Sequence, residues 1–189
     1  MEKFLKQVTS LITLTPEGKS LLNEAITIQQ LKKGDLVLPQ DSVCRHMYFI
    51  EQGLLRIYYN KDGKEITEWL ALDGNFCFSI ISFFQQTPSR LIIECIEDSE
   101  IIYISRDALL QLSDTNLEIA RFFRILITKS LIFSQIRMES IQFETASKRY
   151  QNLLRQQPEI IRRVPLMYIA SFLGITFETL SRIRAQITN

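Results

Sequence analysis

Residues 164–184 read VPLMYIASFLGITFETLSRIR, and the rest of the chain is best understood as apparatus for presenting them. Met167, Ile169, Ala170, Phe172 and Leu173 recur at helical spacing. Gly174 follows as a residue able to take the left-handed conformation that ends a helix, and Thr176 is placed to cap the next. The spacing predicts two short helices joined by a tight turn. In the second, Leu180 and Ile183 are three apart and face inward, leaving Phe177, Glu178, Ser181, Arg182 and Ala185 outward. A short helix with Glu, Ser and Arg exposed on an apolar base fits a DNA major groove, although an amphipathic hairpin packed on a core has the same spacing.

The charge distribution separates these two readings further. The chain carries 22 Lys and Arg against 21 Asp and Glu, a net charge of +1, which excludes a nonspecific polycation. Residues 1–143 hold 15 basic and 18 acidic residues, net −3, whereas residues 144–189 hold 7 and 3, net +4. The positive excess sits on the candidate reader, where phosphates would be met.

The turn glycines organise the preceding hundred residues. From Ile26 the texture becomes β-branched and aromatic, with runs at Leu36–Leu38, Met47–Ile50, Leu54–Tyr59, Ile66–Leu72, Leu91–Ile96 and Glu100–Ile104. Gly34, Gly53, Gly63 and Gly74 mark the turns between them. Many short strands at this spacing predict a small barrel or sandwich. Two helices precede it: Phe4, Leu5, Val8, Leu11 and Ile12 space like one, and Thr15-Pro16-Glu17 is a start signal for the second.

Past Ser105 the pattern turns helical again. Arg106–Leu112 predicts a short helix, and Thr115 or Asn116 begins a long one to about Ser140, roughly 35 Å in length. Its apolar residues go round most of the circumference, which a helix with one partner does not need. Ile119, Phe123, Leu126 and Phe133, at spacings of four, three and seven, are the expected seam of a parallel pair with a second copy of the chain. Enclosure within its own protomer is the competing reading. Residues 138–143 are a candidate hinge, and Glu144–Gln156 is the expected first helix of the reader, with Lys148, Arg149 and Arg155.

At 46% hydrophobic content the 189 residues can bury one sizeable core or two small ones. No apolar run approaches the 18 or so residues of a membrane span, and residues 1–14 are amphipathic rather than signal-like, so the expectation is a cytoplasmic protein without a membrane partner. Cys44, Cys77 and Cys95 are odd in number and widely spaced, with a single His46. Neither a structural zinc nor an iron–sulfur cluster is offered, so no metal and no cofactor is expected. One His, no Gly-rich phosphate loop and no nucleophile–base cluster leave little for enzyme chemistry.

The segment IASFLGIT-x-ETLSRIR resembles the DNA-reading end of the Crp/Fnr family of bacterial transcription factors, outward polar positions included. Similarly, KKGDLVLPQDSVCRHMYFIEQGLLRIYYNKDGKEITEWL resembles the first half of a cyclic-nucleotide-binding β-roll. The resemblance implies an α+β chain. Residues 1–115 form a sensor, an antiparallel jelly roll with flanking helices. Residues 116–140 are a dimerisation helix, and residues 141–189 are a winged-helix-like helix-turn-helix. Between Gln156 and Val164 only a short link with Pro158 stands where many members insert a wing of two strands.

The resemblance also assigns residues. Glu178 and Arg182 fall at the base-reading positions, suited to a cytosine amino group and to guanine respectively. Thr179 and Ser181 would hold phosphates with the helix N-terminus, and Thr176 belongs to the same DNA-binding set. Phe177 stands where a basic residue is common, so one contact is replaced and packing on a thymine methyl is open to it. Members that bind cyclic AMP hold it with a Gly-Glu pair and a later Arg-Ser/Thr pair. Here Phe76 leads to Phe78 and Ser79 at the first pair, and Ser89-Arg90 approximates the second. Losing one charge-assisted hydrogen bond to a buried phosphate costs roughly 1.5–3 kcal/mol, about ten- to a hundredfold in affinity. Weak or no cyclic-nucleotide binding is therefore expected, with an apolar effector open for FCFSIISFF. The partners implied are DNA and a second copy of the chain, with RNA polymerase and an unidentified small-molecule effector left open. The alternative is a ligand-binding or scaffold protein that has lost DNA.

Overall fold

The computed structural model describes residues 1–188. They divide into two compact units, one of residues 1–57 with 71–130 and one of residues 58–70 with 131 onward. The first unit opens with α1 (Glu2–Leu11) and α2 (Pro16–Glu24). Phe4 and Val8 bury one face of α1, and its free N–H groups at Lys3 and Phe4 donate to the Glu51 carboxylate at 2.8 and 2.9 Å. Thr15 caps α2 by accepting from Gly18 N–H at 3.1 Å, with Pro16 at the first helical position, as the sequence signal requires.

Eight strands follow: β1 (Ile26–Leu31), β2 (Leu36–Leu38), β3 (His46–Gln52), β4 (Leu54–Lys61), β5 (Lys64–Leu72), β6 (Phe76–Cys77), and, after helix α3 (Ile80–Gln85), β7 (Ile92–Cys95) and β8 (Ser99–Ser105). They form two four-stranded sheets, ordered β1-β8-β3-β6 and β2-β7-β4-β5. Register in the first sheet is fixed by apolar pairs, Met47 with Ile104, Phe49 with Ile102 and Ile50 with Ile101. The run from Met47 to Glu51 is buried on both faces, which is why it reads as continuous rather than alternating. Gly53 joins β3 to β4 at φ +117°, and a Cβ there would meet the Ser99 backbone at 2.8 Å, so no other residue fits without movement.

Two strands escaped the sequence reading. β1 is an edge strand whose brief Ile-Thr-Ile-Gln alternation stops at Gln30 and whose Thr27, Ile28, Gln29 and Gln30 are all exposed. β6 is two residues long.

Helix α4 (Arg106–Thr115) leads to α5 (Leu117–Phe143), whose 27 residues make it about 40 Å long. Asn116 starts it, its side chain accepting from Glu118 and Ile119 N–H at 3.0 and 3.1 Å. The unit boundary at residues 130 and 131 falls inside this helix. Along its first half, Ile119, Phe122 and Leu126 are buried in the first unit.

The second unit contains the β4–β5 hairpin residues 58–70, the end of α5, and α6 (Ala146–Gln156), α7 (Pro158–Arg163), α8 (Leu166–Phe172) and α9 (Phe177–Thr188). Thr145 caps α6 by accepting from Lys148 N–H at 3.3 Å. Tyr150, Leu153, Ile160, Val164, Ile169, Leu173, Leu180 and Ile183 form its core. The link around Pro158 is a six-residue helix with Ile160 buried, and among the described residues no strand follows Ser105. The place of a wing is thus taken by one turn of helix that Pro158 starts and Ile160 anchors.

Candidate nucleic-acid interface

The turn between α8 and α9 is built by hydrogen bonds that need Gly174. Its φ is +67°, and the N–H groups of Gly174 and Ile175 donate to Ser171 O and Ala170 O, both at 3.0 Å, satisfying carbonyls at the end of α8. A Cβ at Gly174 would make only an ordinary 3.4 Å contact with Ile141, so conformation rather than space demands glycine here. Thr176 then starts α9, its hydroxyl accepting from Thr179 N–H at 3.3 Å and lying 3.1 Å from the Thr179 hydroxyl.

Leu180 and Ile183 are buried, and Thr176, Phe177, Glu178, Ser181, Arg182 and Ala185 are exposed, with Thr179 half-buried. The outward face carries two rows of i, i+4 neighbours, Phe177 with Ser181 and Glu178 with Arg182. The Glu178 carboxyl is held below its ordinary value by its own backbone N–H, then by the Thr176 hydroxyl and the Arg182 charge. It is therefore an ionised acceptor at neutral pH. The Arg182 guanidinium reaches Thr179 Oγ1 at 3.5 Å and is otherwise presented outward.

This face stands on a base that sequence reasoning missed. Arg137, from the end of α5, donates to Phe172 O at 2.8 Å and lies 4.1 Å over the Phe172 ring. Burial depresses the Arg137 pKa to about 10, partly offset by the nearby Glu68 charge, so it stays charged at neutral pH. Arg149 donates to Leu173 O at 3.0 Å, which makes it a brace for the turn rather than an outward charge. Ser171 accepts from Thr67 N–H at 2.8 Å and donates to Glu65 O at 3.2 Å. Because β5 ends its sheet, this hydroxyl satisfies two groups on a free edge. Trp69 meets both Phe172 and Phe133, with ring centroids 6.1 and 6.2 Å away. No local pattern advertises these contacts; those of Ser171 and Phe172 with β5 join residues about a hundred positions apart.

The four residues expected along the long-helix seam part company. Ile119 and Leu126 are taken up by the protomer's own core. Phe123 is half-buried near Phe83 and Phe84, and Phe133 is half-exposed beside Trp69. Phe133 is as exposed as Ile132, and a second apolar row lies further round the helix. Ile125 is half-buried, whereas Ile132, Ile136 and Phe143 are exposed, at successive spacings of seven, four and seven.

Of the five residues expected around an effector, the structure brings two into contact. Ser79 and Ser89 are buried with their hydroxyl oxygens 2.9 Å apart, and Ser89 accepts from Leu91 N–H. Phe78 is buried beside them in sequence and packs on Phe83, with ring centroids 4.9 Å apart. Phe76 stands elsewhere, because its pairing with Phe49 turns its ring among Phe4, Phe49 and Phe122. Arg90 is exposed. The site thus holds a buried ring and two buried serine hydroxyls in contact, with no charged side chain among these residues turned inward.

Cys44, Cys77 and Cys95 are all buried free thiols, and burial raises each pKa, that of Cys95 to about 11. Among the described residues no group of three or more His, Cys, Asp or Glu is placed to hold a metal ion, and no helix is long and apolar enough to cross a membrane.

Comparison with known proteins shows what the chain is similar to. Residues 28–116 match the cyclic nucleotide-binding domain. Over 96 residues, 51% of the chain, the sequence is 28% identical to the cAMP-dependent protein kinase regulatory subunit of Debaryomyces hansenii. The chain spans 20% of that relative's length. Among solved structures, FixK2 from Bradyrhizobium japonicum superposes with a TM-score of 0.73 at 22% identity, over 86% of this chain and 84% of that one. A Crp/Fnr-family regulator from Eubacterium rectale gives 0.71 at 20% identity, over 93% and 84%.

Proposed function

We propose, from the premise that this chain carries a cyclic nucleotide-binding fold over residues 28–116 inside the architecture of Crp/Fnr regulators, that it is a homodimeric DNA-binding transcription factor. The observation that carries the reading is the outward face of α9, where an ionised Glu178 and an exposed Arg182 stand one turn apart on a braced base. Arg182 donates to a guanine, and Glu178 accepts from a cytosine amino group. Thr176, Thr179 and Ser181, with the helix N-terminus, hold phosphates and set the register.

Residues 1–115 act as sensor, 116–140 as the dimerisation helix and 141–189 as reader. The outward row Ile125, Ile132 and Ile136 of α5 is the seam between two copies, and the two α9 helices meet half-sites about 34 Å apart. The protein works in the cytoplasm, with RNA polymerase as the partner that reads its output, and it is not an enzyme.

The effector is not a cyclic nucleotide. Phe78 fills space at the first binding pair, and the Ser79 and Ser89 hydroxyls offer no charge to a phosphate. Calorimetric titration with cyclic AMP or cyclic GMP is expected to show no binding at micromolar concentration, and a micromolar Kd refutes this part of the reading.

Selection of genomic fragments on the purified protein is expected to return a pseudo-palindromic sequence. Arg182→Ala then lowers specific affinity by about 1–3 kcal/mol, read by footprinting. An unchanged footprint removes Arg182 from the interface, and failure to select any sequence favours a scaffold protein that has lost DNA.

A further inference from the structure

Phe177 is the anomaly of the outward face. It opens α9 with 49% of its surface exposed, while Leu180 and Ile183 anchor that helix. An aromatic side chain left in water beside an ionised Glu178 forgoes the benefit of burial, so a partner that covers it contributes directly to binding. Its neighbours fix the character of that partner. The row Glu178–Arg182 runs alongside Phe177–Ser181, and residues 144–189 carry a net charge of +4. A ring next to an ionised Glu178, on residues of net positive charge, suits an anionic partner with a local apolar group better than a wholly apolar protein surface.

DNA is such a partner, because its major groove is polar and anionic except at one kind of atom. The C5 methyl of thymine is the apolar group on its floor, and a phenyl ring is among the side chains that pack on it. We infer that Phe177 is a specificity-determining residue that reads a pyrimidine C5 methyl group, so that each half-site carries a thymine at one fixed position beside the base pairs met by Glu178 and Arg182. This rests on the DNA-binding reading above and adds to it the identity of a base. Phe177 and Ser181 face one side of the groove contact and Glu178 and Arg182 the other, so methyl and hydrogen-bond readout fall on adjacent base steps.

The test separates this inference from the reading it rests on. Once an operator has been selected with the full chain, each thymine is replaced in turn by deoxyuridine, which deletes the methyl and keeps every hydrogen-bonding atom. One symmetry-related thymine per half-site is expected to respond, with affinity falling about fourfold per methyl removed. In Phe177→Ala, a substitution at a half-exposed position that leaves the core intact, the same replacement is expected to have no further effect. Placing 5-methylcytosine rather than cytosine opposite guanine at that position is expected to restore the factor in the parent protein alone. A flat uracil scan on an operator that still depends on Arg182 overturns this inference and leaves the DNA-binding reading standing. Equal losses in parent and Phe177→Ala protein assign the methyl to another residue and overturn it too. Failure to select any operator overturns both.

Discussion

Ser171 shows how much one hydroxyl can organise. It accepts from the buried Thr67 N–H and donates to Glu65 O, standing in for the neighbouring strand that β5 lacks. Ser171→Ala removes both partners while keeping helix propensity, and the expected loss is about 1–3 kcal/mol of unfolding free energy in urea, with faster hydrogen exchange at the Thr67 amide. An unaltered Thr67 exchange rate would remove Ser171 from that role. The cysteines make a second prediction. A thiol whose folded pKa is raised favours the folded state fully below its unfolded value, and that contribution fades as pH climbs. For Cys95 the window runs from 9.0 to about 11, so stability is expected to decline across it, and Cys95→Ser is expected to flatten the decline in a pH series of thermal melts. At this scale the sequence was informative about α9: Thr176, Leu180, Ile183 and Arg182 lie as their spacing implied. It was silent about Arg137 and Ser171, whose partners are distant in the chain and carry no periodic signature.

Among the elements, α5 is the one whose pattern misled. Its apolar residues occur on every side, so spacing alone does not say which face a protomer keeps for itself. Ile119, Phe122 and Leu126 turned out to be anchored in the first unit, and the free row runs through Ile132, Ile136 and Phe143. Ile132→Glu is therefore expected to give a folded monomer by sedimentation at micromolar concentration, whereas Leu126→Glu is expected to lose the fold, because it places a charge in the core. A dimeric Ile132→Glu protein would move the seam elsewhere. Turn chemistry was the most legible signal at this level. Gly34, Gly53, Gly63, Gly74 and Gly174 all take positive φ, and strand boundaries followed from the first four. The β1 edge and the short α7 were not legible, one alternating over only four residues that bury no face and the other only six residues long.

For the whole molecule, sequence order and spatial grouping differ. The chain passes between the two compact units three times, at residues 57–58, 70–71 and 130–131. Two of those passages are the strands of one hairpin, and the third is α5. Ser171 and Phe172 rest on residues 65, 67 and 69, about a hundred positions upstream. The reader is thus not a cassette. Grafting residues 141–189 onto another sensor would strip the Phe172 ring of Trp69 and leave Ser171 without its strand, so a working chimaera must carry residues 58–70 across with it. Divergence in this lineage should follow the same division: a change in the hairpin ought to be answered by one in α8, whereas the free face of α9 can vary without disturbing either.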